Sequence, residues 1–419
     1  MITRLVKHSL LALMGITFLA SCQKEIDATQ LDIDQSRIRG LDAKLNDKAV
    51  LGRTIYFDAS FSNPSGMQSC ASCHLPQQGF VGFGDMPSGP NSRGFRSGMG
   101  EGAVAGAFGG RKPPSAAYAT FAPAFAWDPA QREFSGGLFW DGRATGAVTG
   151  EPAGDQAIGP FLNPVEHNMG TPDNVLKVIA NSQKYRTLWK KAWGVEFSMA
   201  TPADIDLNYK RLGLSIAAYE GSAEVNQFTS KFDAFLKGQT DLSALEAQGM
   251  DLFVQAECDN CHVMDPVGAV PPLFTDYSYD NIGLPTNTEF LNSLGKNPAT
   301  LDGGLGAELA KSANPTWVRE SAVNMGAFKT PTLRNVARGE NNRTYMHNGV
   351  LKSLKEVVHF YNTRDVDPKW AAPEFPATMN TRRVGDLRLT SQEEDAIVAF
   401  MRTLTDGWKP GVTNNQGVL

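Results

Sequence analysis

The sequence predicts a mainly α-helical protein made of two similar halves with long ordered loops. Three observations predict it. Helix-start signals recur along the chain, whereas the apolar–polar alternation of half-buried strands is scarce. Four cysteines stand as two pairs, Cys70/Cys73 and Cys258/Cys261, each followed directly by a histidine. The segments around the pairs also keep one order. The first half runs from Gly52 and Phe57 through its cysteine pair to Arg111-Lys112-Pro113-Pro114-Ser115 and Phe139-Trp140-Asp141-Gly142. The second runs from Gly249 and Phe253 through its pair to Phe328-Lys329-Thr330-Pro331-Thr332 and Met346-His347-Asn348-Gly349. Internal duplication of a domain explains that order simply. The 419 residues also exceed one ordinary core.

Taken in order, the chain begins with an export signal. Arg4, Lys7 and His8 form a positive start, and Leu10 to Ala20 is apolar but too short to span a bilayer. Leu19-Ala20-Ser21-Cys22 resembles a bacterial lipobox, with plain signal cleavage as the alternative. Residues 1–21 are thus read as a lipoprotein signal and 22–44 as a tether. The expected location is outside the cytoplasm, periplasmic or on the outer membrane, held by a lipid anchor at Cys22. Residues 81–110 are glycine-rich and should lie beside His74, which they follow closely. Thr171-Pro172-Asp173 opens a helix to about Trp193, and Thr201-Pro202 opens another to about Glu220, with Leu207, Leu212, Leu214, Ile216 and Ala217 on it. A boundary near residues 221–240 divides an N-terminal domain, 45–235, from a C-terminal one, 236–408. Ser243 to Gln255 reads as the helix entering the second cysteine pair. Thr390 with Glu393 forms a capping box for a last helix to about Leu404, whose Ile397, Val398, Phe400 and Met401 face a core. Residues 409–419 are a tail. The net charge of −5 gives no reason to expect a nucleic-acid partner.

The cysteines carry the chemistry. Cys70-Ala71-Ser72-Cys73-His74 and Cys258-Asp259-Asn260-Cys261-His262 both read C-x-x-C-H, the attachment signature of c-type haem. The two thiols add to the haem vinyl groups, and the histidine is placed as axial ligand of the iron. Disulfides would not require a histidine after each pair. A zinc site of four thiolates would use the same cysteines. A redox C-x-x-C would sit in a βαβ pattern that is not seen here. Two covalently bound haem c groups, with His74 and His262 as iron ligands, is the reading that uses every residue of both motifs.

At this point the sequence resembles the bacterial di-haem cytochrome c peroxidase and MauG family, over about residues 45–405. Besides the two haem motifs, the resemblance rests on Leu138-Phe139-Trp140-Asp141-Gly142-Arg143, Gln156-Ala157-Ile158-Gly159-Pro160, Asn163-Pro164-Val165-Glu166, Lys329-Thr330-Pro331-Thr332-Leu333-Arg334-Asn335 and Tyr345-Met346-His347-Asn348-Gly349. It implies two cytochrome c-like haem domains, one haem binding peroxide and the other passing or storing electrons. It implies that Glu166 is the acidic residue of the peroxide pocket, that Gln156 and Pro160 are its neighbours, and that Trp140 stands between the haems. A surface carboxylate at Glu166 and plain core packing of Trp140 are the alternatives.

The chain departs from many family members in four places. No histidine lies between His74 and His167, so the glycine-rich loop cannot supply a blocking ligand to the first haem. His167 stands where methionine is common and is read as a packed or solvated side chain, with a place lining the pocket as the alternative. Tyr361 falls where classical members carry a methionine ligand for the second haem, as in MauG-like members, with His359, Met346 and His347 as rivals. Lys112 replaces an asparagine that family members use for Ca²⁺, which argues against that ion. The resemblance implies a peroxidase reducing hydrogen peroxide with electrons from a small cytochrome c or cupredoxin. The alternative is a MauG-like enzyme that oxidises aromatic residues of a partner protein substrate. A plain electron carrier would have no use for Glu166 over an open haem.

Overall fold

The computed structural model describes residues 44–89 and 92–411. The signal, Cys22, nearly all of the tether and most of the tail lie outside them. Helices dominate, as the sequence predicts, and the strands are short two-stranded pieces. The longer helices are α1 (Asp47–Tyr56), α2 (Pro152–Leu162), α3 (Pro172–Ala180), α4 (Gln183–Trp193), α5 (Pro202–Glu220), α6 (Ala244–Gln255), α7 (Leu354–Thr363) and α8 (Ser391–Arg402). None among the described residues is long and apolar enough to cross a membrane.

Local chemistry starts these helices. Thr201, Ser243 and Thr390 each accept from the backbone N–H three residues on, while Asp204, Glu246 and Glu393 reach back to complete capping boxes. The single helix expected from Pro172 to Trp193 is instead two. Ser182 takes an extended backbone and its hydroxyl accepts from Tyr185 N, which begins α4 afresh. Asn181 and Ser182 offer the backbone side-chain partners that compete with helix continuation. Of the apolar residues on α5, Leu207 is 47% exposed, whereas Leu212 and Ile216 are buried.

Two helix crossings organise the cores. α1 crosses α5 so closely that a Cβ on Gly52 would lie 1.8 Å from the Ser215 carbonyl oxygen. α6 crosses α8 alike, with 1.9 Å from Gly249 to the Ala396 carbonyl oxygen. Only glycine permits such approaches. Around the first crossing Leu51, Ile55, Phe61, Trp189 and Leu212 form one buried cluster. Around the second Phe253, Phe274, Phe360 and Phe400 form another. Buried polar links join the chain across long separations. Tyr118 Oη donates to Asp406 (2.6 Å), and Arg334 meets Asp233 with both side chains about 1% exposed. Burial would raise the Asp233 carboxyl, but Arg334 beside it holds it below the ordinary carboxylate range.

The glycine-rich stretch is less irregular than its composition implies. It carries a hairpin of β1 (Phe95–Arg96) and β2 (Met99–Gly100). Its glycines are set by close approach: a Cβ on Gly100 would come 2.6 Å from Cys73 Sγ, and one on Gly102 2.3 Å from the Val165 carbonyl oxygen. The loop therefore packs against the first cysteine motif, where its position in the chain placed it.

Candidate active site

Each C-x-x-C-H motif lies in a cavity wall. Cys70 to Cys73 form one helical turn, and the His74 Nδ1–H donates to the Phe80 carbonyl (3.2 Å). Cys258 to Asn260 form a 3₁₀ turn, and the His262 Nδ1–H donates to the Phe274 carbonyl (2.9 Å). A ring held this way keeps its Nε2 lone pair for a metal. Burial keeps both imidazoles neutral, driving His262 down to about 4. It also pushes the Cys73 and Cys258 thiols up to about 12. All four cysteines are free of disulfides. The pairs line separate cavities, so they do not assemble a four-thiolate zinc site. Largely apolar walls, free thiols and an imidazole with one nitrogen committed to backbone fit a covalently bound haem in each cavity.

The first cavity gathers residues from four segments: His74, Trp140, Gln156, Pro160 and Glu166 line it together. Gln156 and Pro160 are four residues apart on α2 and share one face. Pro160 has no N–H, so the Gln156 carbonyl lacks its helical partner and the helix ends within a turn. Asn163 then makes a side-chain turn, accepting from Val165 N (3.1 Å), while its carbonyl accepts from Glu166 N (3.1 Å). The Glu166 carbonyl accepts from Ala103 N (2.7 Å), which ties the glycine-rich loop to this turn. Burial raises the Glu166 carboxyl above its ordinary value, with the Arg143 charge opposing. His167 is buried, and its Nδ1–H donates to the Phe61 carbonyl (2.8 Å). It is a packed histidine on the cavity wall.

A carboxylate that sequence reasoning missed faces the same space. Glu220, the last residue of α5, is 5% exposed and lines the first cavity. Burial raises its carboxyl from 4.5 to about 8, and the nearby Glu151 adds to this. Nothing local in Tyr219-Glu220-Gly221 signals it, because the burial comes from helices far apart in sequence. Between pH 4.5 and 8 the unfolded chain has released this proton while the folded chain keeps it. Folding therefore weakens as pH rises, by roughly 1.4 kcal/mol per unit across that window. Glu220→Gln should remove this slope. Urea unfolding should show its stability advantage over wild type growing from pH 5 to pH 8.

Trp140 lies between the two cavities and lines both. Its Nε1–H donates to the Lys112 carbonyl (2.7 Å), and its own carbonyl accepts from Lys329 N (2.9 Å). The second cavity is walled by Cys258, Cys261, His262, Met346, His347 and Tyr361. Burial, with the two cysteines and Asp280 adding, pushes the Tyr361 phenol far above its ordinary value. His359, one rival to Tyr361, is turned away. Its Nδ1 pairs with Glu394 (2.8 Å) in a separate surface depression. Met346 and His347 remain on the cavity wall, and His347 Nε2 is buried without a partner.

Comparison with known proteins agrees with this geometry. The family model described as di-haem cytochrome c peroxidase matches residues 46–241. The methylamine utilization protein MauG of Paracoccus denitrificans is 32% identical over 371 residues, covering 85% of this chain and 88% of that protein. Cytochrome-c peroxidase IdrP2 of Denitromonas iodatirespirans is 26% identical over 413 residues, covering 94% and 90%. Among solved structures, the diheme peroxidase BthA of Burkholderia thailandensis superposes with a TM-score of 0.71 at 28% identity, over 88% of this chain and 90% of that one. With both haem motifs in cavities that suit the cofactor, the chain belongs to the di-haem cytochrome c peroxidase and MauG family, and it is an oxidoreductase with two c-type haems.

Proposed function

We propose that the protein reduces hydrogen peroxide at the haem held by His74, without prior reductive activation, and draws electrons through the haem held by His262. The observation that carries the reading is the first cavity itself. It collects Glu166, Gln156 and Pro160 around His74, and residues 75–166 contain no histidine to close it. When bound, haem iron exchanges the two electrons with peroxide. The chain's own residues move a proton within the peroxide, and the two further protons come from solvent. Reduction of one H2O2 to two waters takes up two electrons and two protons. The Glu166 carboxylate accepts a proton from the near oxygen and returns it to the departing one. Its burial raises its proton affinity, which makes it a stronger base for that exchange. Gln156, one side of the same cavity, offers an amide that can orient the peroxide. Trp140 places an indole between the two cavities as a stepping point for electrons.

In this reading residues 45–235 hold the peroxide haem and 236–408 the electron-transfer haem. Tyr361 is the phenolic ligand of the second iron, in the MauG-like manner, and its place beside Cys258 and Cys261 supports it. The electron donor is a small cytochrome c or cupredoxin. The alternative, oxidation of aromatic residues of a partner protein, is favoured by the same Tyr361. The chain is exported and anchored by lipid at Cys22, in keeping with the compartment where c-type haem is attached. The test is peroxide added to the protein as purified, with no reductant: one haem should react at once. A need for prior one-electron reduction would refute the open first haem.

A further inference from the structure

Lys112 and Arg343 are two buried cations that share one cavity, and the one acidic residue in its wall, Glu220, acts on neither. The Lys112 side chain is almost wholly enclosed. Burial and then the charge of Arg343 push its ammonium well below the ordinary value, and no acidic group acts on it. Arg343 Nη1 donates to the carbonyls of Asn335 (2.9 Å) and Arg338 (3.1 Å), but its Nε is buried without a partner. Burial favours the protonated, uncharged form of Glu166 and Glu220, which share Lys112's other cavity, and the aspartates there are already engaged. Arg111 holds Asp302 and Asp141, and Arg143 holds Asp141 as well. A third buried lysine, Lys329, differs, because the carbonyls of Gly136 (2.9 Å) and Tyr277 (3.3 Å) receive its ammonium. An uncompensated buried charge is costly, and two of like sign more so. An anion belongs between Lys112 and Arg343.

The arrangement of walls says which anion. Cys70 and Cys73 line one cavity. Arg343 lines an adjoining one that the thiols do not reach. His74, Lys112 and Trp140 line both. Arg343 therefore lines the part of the space that the thiols do not, and Lys112 reaches both parts. A haem joined through its vinyl groups carries its two propionate carboxylates on the opposite edge of the ring. We propose that Lys112 and Arg343 form a carboxylate clamp for the propionates of the first haem. Carboxylates pair with both cations in charge-assisted hydrogen bonds. The clamp is also tied to the electron path, because the Lys112 carbonyl accepts from Trp140 Nε1 and its N–H donates to the His347 carbonyl (2.7 Å).

The clamp rests on the reading of His74 as a haem site, and the two can fail separately. The experiment compares the wild-type holoprotein with Lys112→Met and Lys112→Arg, by haem content, potentiometric titration and resonance Raman spectra of the propionate bending modes. Lys112→Gln is read alongside, in case the methionine variant misfolds. Lys112→Met should keep two haems. The ferric/ferrous equilibrium of one should move at least tenfold toward ferric, about 59 mV for a one-electron couple. The bending band of that haem should shift, and Lys112→Arg should restore both signals. Two bound haems with unmoved equilibria and bands in both neutral variants would overturn the clamp alone. Wild-type equilibria that shift with added formate would give the cations to a free carboxylate and also overturn it. No haem at Cys70 and Cys73 in wild type would overturn the haem-site reading and the clamp with it.

Discussion

Replacing Glu166 by glutamine should lower peroxide turnover by roughly 10²-fold with both haems still attached. That is about 2.7 kcal/mol of barrier. The substitution keeps the shape of the side chain and removes only its ability to take up and return a proton. The turn that carries it depends on the Asn163 side chain and on backbone bonds, so it should persist. The resting spectrum of the first haem should change little, because Glu166 acts on the peroxide rather than on the iron. Stopped-flow consumption of H2O2 and the optical spectrum of the same sample check both points. Unchanged turnover would move the proton role to another carboxyl, with Glu220, buried in the same cavity wall, the first to test.

Tyr361→Phe should change the spectrum of the second haem and raise its reduction potential, with haem content intact. An anionic oxygen donor favours the oxidised metal, and axial-ligand identity is a main control on haem potential. The phenol is buried, so without a metal it resists ionising; binding iron supplies the charge that makes a phenolate stable there. Tyr361→His should give a six-coordinate haem that resists further oxidation. Low-temperature EPR and a redox titration read both variants. An unchanged spectrum in Tyr361→Phe would assign the ligand to His347, whose Nε2 is buried and unpaired, or to Met346. It would also remove the main support for the reading in which a partner protein is oxidised.

What could be read from the sequence was local. Capping boxes at Thr201, Ser243 and Thr390 lie within four residues and mark helix starts directly. The C-x-x-C-H motifs likewise hold their chemistry within five residues. The break at Asn181-Ser182 was harder, since apolar spacing continues through it and only the small polar pair signals the restart. The remainder depends on contacts between distant segments. His359 is taken from the second cavity by Glu394, thirty-five positions on. Glu220 is buried by helices it does not neighbour in sequence. Lys112 and Arg343 are 231 positions apart, and their unbalanced charge exists only once the cavity forms. Two short hairpins, at Phe95–Gly100 and Ala126–Ser135, arise from turns around Gly98 and Arg132 rather than from any alternating pattern.

We propose that the first haem is open at rest because no histidine from the loop after His74 covers it. Rapid mixing of the pure diferric protein with H2O2, followed by optical and Mössbauer spectra, tests it most directly. A high-spin ferric signal at rest, consumed within the first turnover with no reductant present, is the expected result. Two low-spin haems at rest, inert to peroxide until one electron has been added, would contradict it.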